Sequence, residues 1–477
     1  MAEEWLDLPL SQPLFDQGNE DAVVGYTTAL ENAFHNKIGG VTRFPGLRRF
    51  AFLSSAAKRI YLSDFNDDLM AADDKGQTYR VNRAATVSNV TGSPVSGGRR
   101  TIFAKTDRDL LLAAGGPIIR LRDLLTEPLS SDAPDATHVG WLDNFTIGIE
   151  VNSGRFAHSR PGEPDVWDVL DSFSADTFPD NINSMIVTPY RELMLGGVDS
   201  TEQFERTQST AATETPFYRR WATGEGVKLP YAMIHADNAL WHVNPQNELV
   251  RVQGQTSFKV SEPIANLLST IDNWDEAWIG GYPSSPLKIL GHTFIILQAP
   301  HASNFYGTKG VTIAYDIDKK EFFNLYGWDA TNGVPGRWPG WSHWNLWDTT
   351  FVGGDDGWIY ELTPDTYQHH ESIQRFLVRT AHMAKGADVQ VKGFRLRVVR
   401  GIGTPNTAPT IQVRCSRNGR PQGPPITRSL GIAGRREQFI EFGAFGNGGT
   451  FQFEISSAAN CKVDLIAAQV KTVEIGH

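Results

Sequence analysis

The chain has 477 residues, of which 40% are hydrophobic and 21% charged, and its formal net charge is −10. This composition excludes an intrinsically disordered protein, and the length allows two or three domains. The acidic balance argues against a general nucleic-acid binder. We expect no signal peptide, because the first ten residues lack a basic segment and a long apolar stretch, and no transmembrane helix, because no run of about 18 apolar residues occurs.

Residues 1–45 are predicted to form an N-terminal arm and the first strands, ahead of a repeated pattern. Each repeat has an apolar strand, a tight turn rich in Gly, Asp or Asn, and a second strand that starts with an aromatic or aliphatic residue. Six copies cover residues 69–79, 110–119, 147–156, 193–204, 232–241 and 350–360, and a looser copy lies at 293–315.

The spacing of these copies points to one fold. Most neighbouring copies lie 37–48 residues apart, whereas Trp241 and Tyr315 lie 74 apart, so insertions are expected between them. A period of about 40–50 residues with a Gly/Asp turn is typical of a four-stranded propeller blade. We therefore predict an all-β fold with a six- or seven-bladed β-propeller over residues 46–365. The alternative is a set of unrelated hairpins in another all-β fold, because Asp-Gly and Asn-Gly turns are common there.

The pattern changes after the last repeat. Residues 366–390 are predicted to be a linker with helical character, because the first 20 of them contain no Pro or Gly. From Phe394 to Val398, apolar residues alternate with Arg395 and Arg397, which is the period of a half-buried strand. Residues 391–477 are predicted to form an antiparallel β-sandwich domain.

The C-terminal domain is basic, whereas the rest of the chain is acidic. Residues 391–477 contain 12 Lys/Arg and 5 Asp/Glu, a net charge of +7, which leaves −17 for residues 1–390. This division favours an electrostatic contact between different parts of neighbouring molecules, and a chance distribution is the alternative. The candidate basic residues of such a contact are Arg395, Arg397, Arg435 and Arg436.

The two cysteines, Cys415 and Cys461, belong to no Cys-x-x-Cys pair. Cys415 lies in the apolar phase of a predicted strand, which indicates a buried thiol. A disulfide between the two is the less favoured alternative. This cysteine usage fits folding in a reducing cytoplasm.

The sequence predicts no catalytic, metal or cofactor site. Asp199, Asp237, Asp355 and Asp356 all lie in repeat turns, where Asp caps local backbone N–H groups, so turn chemistry is favoured over a glycosidase carboxylate pair. The 12 histidines are scattered, and the nucleophile-elbow, Walker and dinucleotide motifs are missing. We therefore predict a protein that is not an enzyme and takes no cofactor.

A tryptophan-rich segment precedes the last repeat. Its members are Trp328, Trp338, Trp341, Trp344 and Trp347. Together with nearby Pro and Gly, such residues can form a contact surface for carbohydrate or protein. Packing beneath an insertion between blades is the favoured alternative.

Three further segments carry a resemblance to a known family. Asn32 to Gly46 has an Asn before an apolar residue and a short strand that ends in Arg-Phe-Pro-Gly. Tyr190 to Phe204 and Val311 to Leu325 are similar to a fourth-blade segment and to the Tyr-Asp turn of a late blade. In this order they resemble the tail hub proteins of short-tailed bacteriophages, also called nozzle or packaged-DNA stabilisation proteins. The Trp328–Trp347 segment and the Gly419–Pro425 loop depart from the family pattern.

The resemblance implies a structural virion protein of the phage tail, assembled in the host cytoplasm. Members form a ring, usually a hexamer, below the portal and its adaptor ring. The ring continues the DNA channel, retains packaged DNA and supports tail fibres or the tail tip. Double-stranded DNA would pass without sequence-specific binding, and an acidic lumen would repel its phosphates. No membrane insertion is expected.

Two other functions stay open at this point. One is a propeller glycan-binding protein or glycosidase at the virion tip, and the enzyme would need a carboxylate pair or a Tyr/Arg cluster at the propeller axis. The other is a propeller scaffold that binds peptides.

Overall fold

The computed structural model describes residues 5–8, 10, 30–175, 180–207, 216–281, 285–380, 382–399, 408–432 and 439–474. Strands dominate this part of the chain, and its helices are one 3-10 turn, Glu262–Ile264, and one short α-helix, Ala265–Ser269. The predicted all-β fold is confirmed. No helix within these ranges is long and apolar enough to cross a membrane.

Six separate sheets of four or five strands form the blades of a β-propeller, as the repeat spacing predicts. The strands are Tyr61–Phe65, Asp68–Ala72, Thr78–Val81 and Val87–Asn89 in blade 1; Thr91–Gly92, Ile102–Lys105, Leu110–Ala113, Ile119–Arg122 and Leu125–Pro128 in blade 2; Gly116–Pro117, Asp135–Leu142, Phe145–Glu150, Arg155–Arg160 and Glu163–Ser174 in blade 3; Ile182–Val187, Glu192–Gly197, Thr201–Arg206 and Phe217–Thr223 in blade 4; Met233–Ala236, Ala239–Val243, Leu249–Gln253 and Thr256–Lys259 in blade 5; and Ser342–Leu346, Thr349–Gly353, Trp358–Thr363 and Gly46–Phe52 in blade 6. A short hairpin, Gly327–Asp329 with Val334–Gly336, precedes blade 6.

A seventh sheet stands in the ring between blades 5 and 6, and we call it the bridging sheet. Its strands are Trp278–Ile279, Leu287–Ile289, His292–Ser303, Lys309–Asp316 and Glu321–Asn324. Its inner strands contact the inner strands of both neighbouring blades. Its last strand pairs with Leu30–Glu31, which in turn pairs with a C-terminal strand, so this sheet continues out of the propeller. The 3-10 turn and the helix that precede it account for part of the extra length predicted there.

The ring is closed by strands from both ends of the propeller sequence. Gly46–Phe52 is the outermost strand of blade 6 and pairs with Trp358–Thr363 in a register that places Leu47 opposite Leu362. Backbone hydrogen bonds between the first and last propeller strands thus hold the ring together and cover a sheet edge.

The repeat turns have the backbone that tight hairpins require. Asp237 and Asn238 have φ angles of 48° and 51°, and Asp143 and Asn144 have 53° and 70°. Two successive left-handed residues are the mark of a type I′ turn, whose twist matches that of the flanking strands, and Asp and Asn tolerate this conformation. These two turns, Asp237–Asn238 within a repeat copy and Asp143–Asn144 just before another, therefore set the hairpin register of their blades.

The C-terminal strands belong to the same sixteen-stranded sheet as the bridging sheet. They are Phe376–Arg379, Met383–Val398, Thr410–Arg417, Ile426–Ser429, Phe439–Gly443, Gly446–Ser457 and Asp464–Glu474, joined by the N-terminal strands Trp5–Leu8, Leu30–Glu31, Ala33–His35 and Val41–Arg43. Within this sheet, the Phe394 ring of Met383–Val398 stacks on the Phe453 ring of Gly446–Ser457, with ring centroids 4.4 Å apart. The predicted sandwich domain is not confirmed, because its strands form one continuous sheet.

The helical character predicted for the start of residues 366–390 is wrong. Phe376–Arg379 is a strand buried at all four positions, and Met383–Val398 is a second strand that begins in the same segment. Val378 lies opposite Ile455 in the ladder with the C-terminal strand Gly446–Ser457. This long-range pairing, which a local pattern does not reveal, determines the conformation of the segment.

Candidate functional site

An axial cavity of about 330 Å³ opens where the inner strands of the propeller begin, and we call it the arginine cavity. The inner strand of each blade is Tyr61–Phe65, Ile102–Lys105, Asp135–Leu142, Ile182–Val187, Met233–Ala236 or Ser342–Leu346, and neighbouring inner strands contact one another around the ring. Residues at or just before the starts of five inner strands therefore converge on the axis. They are Arg59 and Tyr61 of blade 1, Arg99 and Arg100 of blade 2, Tyr231 of blade 5, Glu276 of the bridging sheet and Trp341 of blade 6, with Asp74 beside them.

Arg100 is the most enclosed charge of the cavity, with 8% of the residue exposed. Its Nη1 donates a hydrogen bond to the Trp341 carbonyl at 3.0 Å. Its Cζ lies 5.0 Å from the ring centroid of Tyr61 and 5.3 Å from that of Trp278. Attraction between the guanidinium and the aromatic ring faces offsets part of the cost of removing this charge from water.

The rim of the arginine cavity carries an ion pair between Arg59 and Glu276, whose side chains are 34% and 42% exposed. Glu276 is also hydrogen-bonded to His301 Nε2 at 2.7 Å, and Arg59 Cζ lies 5.1 Å from the Trp341 ring centroid. The lining as a whole has three guanidinium groups and two carboxylates. The cavity is therefore net cationic.

Burial raises the pKa of both cavity tyrosines, Tyr61 and Tyr231, to about 12. Both phenols are therefore neutral near pH 7. They offer hydroxyl groups for hydrogen bonding without adding negative charge, so the positive field of the cavity comes from the arginines.

A second cavity, of about 450 Å³, lies at the other end of the inner strands, and we call it the lysine cavity. Lys105 and Lys288 line it together with Asp64 and Trp344. Lys105 Nζ lies 2.8 Å from Asp64 Oδ1, and Trp344 Nε1 donates to the same oxygen at 2.7 Å. The Lys105 side chain is 47% exposed, so this pair orients Trp344 but adds little stability.

The tryptophan-rich segment is divided between the core and the axis. Trp338 is fully buried, Trp341 lines the arginine cavity and Trp344 lines the lysine cavity. Trp328 is half-buried in the short hairpin before blade 6, and Trp347 Nε1 donates to the turn of blade 1. The five rings therefore do not form a single surface, although two of them mark the ends of the propeller axis.

On the C-terminal sheet, Arg395 lies between two aromatic rings. Its Cζ is 4.1 Å from the ring centroid of Trp5 and 4.4 Å from that of Phe439, and its Nε donates to Gln469 Oε1 at 2.6 Å. Arg397 is exposed on the same face, two residues along the strand. Aromatic residues and Arg are enriched in protein interfaces. We therefore treat this Arg395 face as a candidate contact surface.

The other two predicted basic residues, Arg435 and Arg436, lie outside the described residues.

A network of buried charges joins the N-terminal strand, the bridging sheet and the C-terminal sheet. Glu31 Oε2 accepts a hydrogen bond from Arg375 Nη2 at 2.7 Å, and Glu31 Oε1 accepts one from the Tyr306 hydroxyl at 2.5 Å. Arg379 Nη1 lies 3.9 Å from Glu31, and Arg379 Nε donates to Glu454 at 2.9 Å. Two carboxylates thus balance two guanidinium groups, as burial of charge requires.

The two carboxylates in the repeat turn of blade 6, Asp355 and Asp356, both accept hydrogen bonds. Asp355 accepts hydrogen bonds from the Arg59 backbone N–H at 3.3 Å and from Arg337 Nη2 at 3.1 Å. Asp356 accepts one from the Tyr360 hydroxyl at 2.5 Å. These contacts fix the turns of blade 6 against its neighbours.

Among the described residues, one group has donor atoms close enough for a metal ion, and the sequence spacing gave no sign of it. His292, Asp316 and Asp318 place one ligand atom each within 4.8 Å of the others. His292 Nδ1 and Asp316 Oδ2 are 2.7 Å apart, and Asp318 Oδ2 accepts the Thr293 backbone N–H at 3.1 Å. Since these atoms already bond to each other or to backbone, the group stabilises two adjoining hairpin turns.

No protein-family profile and no curated protein matches this sequence. Among solved structures, the chain is similar to the extracellular domain of a one-component system from B. thetaiotaomicron, with 9% identity over 77% of this chain and a TM-score of 0.44. The chain covers 46% of the length of that protein. It is also similar to virginiamycin B lyase from Staphylococcus aureus (11% identity, 66% and 98% of the two chains, TM-score 0.42) and to the WD40 propeller domain of Doa1 (9%, 67% and 98%, TM-score 0.40).

Proposed function

We propose that the protein is a structural subunit of a bacteriophage tail that assembles into a ring, a hexamer in the preferred form, below the portal and adaptor. The proposal rests on the resemblance of Asn32 to Gly46 to tail hub proteins and on the part that this segment has in the fold. The Asn32 side chain donates to the carbonyls of Tyr326 and Arg375 at 3.1 and 2.9 Å and accepts the Tyr326 N–H at 3.0 Å. It thus ties the last strands of the bridging sheet to the chain that leads into the C-terminal sheet.

Arg43, the second marker of this segment, is fully buried and supports the same junction. Its guanidinium donates to the backbone carbonyl of Cys461 at 3.2 Å and to those of Ala459 and Gln374. Burial lowers the pKa of Arg43 to about 10, so the side chain stays charged near pH 7. A charged fork that binds three carbonyls fixes the segment just before the blade 6 strand Gly46–Phe52 to the C-terminal part of the chain.

The observation that carries the proposal is this clamped junction. A ring subunit that continues a DNA channel has to keep its parts aligned while packaged DNA presses on it. Asn32 and Arg43 hold the propeller and the C-terminal sheet together through buried hydrogen bonds that a local fluctuation does not easily break.

The charge division supports a contact between neighbouring subunits. The basic C-terminal domain, with the Arg395 face, would pack on the acidic surface of the next propeller, since opposite charges steer association and fix its orientation. Other surfaces would contact the adaptor, the portal and the tail fibres or tip. Double-stranded DNA would pass through an acidic lumen without sequence-specific binding.

Negative-stain imaging and sedimentation of the purified full chain, alone and mixed with a portal–adaptor complex, test the proposal. We expect rings of about six subunits in at least one of the two samples. A chain that stays monomeric in both samples, or that hydrolyses polysaccharide as a monomer, would overturn it.

A charge-reversal variant tests the proposed contact. Arg397→Glu is expected to weaken ring formation, and the wild-type ring is expected to dissociate as salt rises, because surface charges are screened. Arg108→Glu is the matched control, since the Arg108 side chain is 80% exposed on a propeller turn. Equal effects of both variants would show that the Arg395 face is not the contact.

A further inference from the structure

The arginine cavity has the size and construction of a ligand site, and the tail-ring proposal leaves it without a role. Its volume of about 330 Å³ lies within the range of small-molecule sites, and it is concave and opens to solvent at Arg59 and Glu276. Its walls come from five different sheets of a closed ring, so its shape is held by the whole propeller. Rigid walls of this kind lower the entropic cost of binding a ligand.

The cavity brings together three kinds of group. Arg99 and Arg100, neighbours in the sequence, both line the cavity, and a planar guanidinium group suits the two oxygens of a carboxylate. Tyr61, Tyr231 and Trp341 supply apolar ring surface and, for the tyrosines, neutral hydroxyl groups.

Two carboxylates, Glu276 and Asp74, complete the lining. A carboxylate accepts hydrogen bonds from the hydroxyl groups of a ligand. The same two groups repel a compact ion that carries two negative charges, such as inorganic phosphate.

We propose that the arginine cavity binds an acidic sugar, with the sugar carboxylate held by Arg99 and Arg100. A sugar of this class has one carboxylate for the guanidinium groups, hydroxyl donors for Glu276 and Asp74, and C–H faces for the aromatic wall. Its single charge matches the excess of one guanidinium over the carboxylates of the lining. The site would recognise the sugar either free or at the end of a glycan.

Isothermal titration calorimetry of the full chain with N-acetylneuraminate and glucuronate tests the site. Glucose and N-acetylglucosamine are the neutral controls, and inorganic phosphate is the simple-anion control. We expect saturable binding of at least one acidic sugar with a Kd near or below the millimolar range, and none for the neutral sugars. No binding of either acidic sugar, or phosphate binding as tight as sugar binding, would overturn the proposal.

Variants then locate the site. Arg99→Ala is preferred because Arg99 is half-exposed at the rim, where its Nη2 lies 3.2 Å from Asn152 Oδ1, so the fold should survive the change. It is expected to weaken acidic-sugar binding by about tenfold or more. Arg108→Ala removes an exposed guanidinium of the same blade outside the cavity and should bind as the wild type does.

Arg100→Lys keeps the positive charge but loses the planar guanidinium group that can bind both oxygens of a carboxylate. Circular dichroism can check that this variant folds. We expect weaker binding of the acidic sugar by a folded Arg100→Lys protein. Unchanged binding in both Arg99→Ala and Arg100→Lys would place any sugar site elsewhere. The outcome does not depend on ring assembly, because the cavity lies within one propeller.

Discussion

Glu31 Oε2 and Arg375 Nη2 lie 2.7 Å apart although 344 positions separate the two residues in the sequence. Their side chains are 5% and 24% exposed. The pair connects the short strand Leu30–Glu31 with the segment that enters the C-terminal sheet. It therefore belongs to the set of contacts that join the propeller to the rest of the chain.

Glu31→Gln tests how much this junction contributes to the free energy of unfolding. Neutralising Glu31 leaves Arg375 and Arg379 with one fewer carboxylate in a buried place, and breaking such a pair costs about 3 kcal/mol of unfolding free energy. Urea unfolding followed by fluorescence measures the change. Glu371→Gln is the control, because the Glu371 side chain is 87% exposed beside His370, and we expect a change below about 0.5 kcal/mol. If Glu31→Gln and Glu371→Gln lowered the free energy of unfolding equally, the buried network would not stabilise the junction as its geometry indicates.

Gly46 is the end of the segment that carries the family resemblance, and its neighbours leave no room for a side chain. A Cβ there would lie 2.3 Å from the Gln368 carbonyl oxygen and 2.9 Å from that of Thr366, and backbone atoms do not move aside cheaply. Gly46→Ala is expected to lower the free energy of unfolding by about 2 kcal/mol. In Gly423→Ala the nearest heavy atom, the Cys415 carbonyl oxygen, is 3.4 Å away, so thermal unfolding of that variant should match the wild type. A tolerated Gly46→Ala would mean that Gln368 and its neighbours shift freely.

The propeller could be predicted because its signals are local. An Asp-Asn turn such as Asp237–Asn238 determines its own hairpin, and blades of similar length repeat these turns at similar spacing. The continuous C-terminal sheet could not be predicted in this way. Its strand Phe376–Arg379 pairs with residues 454–457 and 30–31, and the sequence of the strand itself does not identify these partners.

The arginine cavity was missed for a similar reason. Arg99, Tyr231 and Trp341 lie far apart in the sequence and meet only because each stands at the start of an inner strand. A signal was present, since an apolar strand that opens a blade places its preceding residues at the propeller axis. Reading the residues before each predicted inner strand, rather than the repeat turns, would have found the cluster.

Four buried histidines predict that stability depends on pH. Burial lowers the pKa of His138, His242 and His369 to about 4 and that of His343 to about 3. The unfolded chain takes up these protons near pH 6.5, whereas the folded chain does so only near pH 4, so the unfolding free energy is greatest above about pH 6.5 and falls as pH decreases. Each histidine contributes about 1.4 kcal/mol per pH unit between these limits.

Urea unfolding at about pH 7, 6 and 5 measures this slope. The slope of the unfolding free energy against pH is proportional to the number of protons that unfolding takes up. In His242→Gln that number should fall from about four to about three. The same slope in His242→Gln as in the wild type would contradict the assignment of this proton uptake to the buried histidines.

The two cysteines predict how the folded chain reacts with thiol reagents. Cys415 and Cys461 are free thiols, each 7% exposed, so the disulfide alternative is not realised. Burial raises the pKa of Cys415 to about 12 and raises that of Cys461 as well, and since the thiolate is the nucleophile, both should react slowly in the native protein. A disulfide-exchange reagent without reductant should detect two thiols in urea and almost none in buffer over the same time. Cys461→Ser should halve the number in urea; fast labelling of the native wild type would show that the junction around Arg43 and Cys461 opens more often than its buried hydrogen bonds imply.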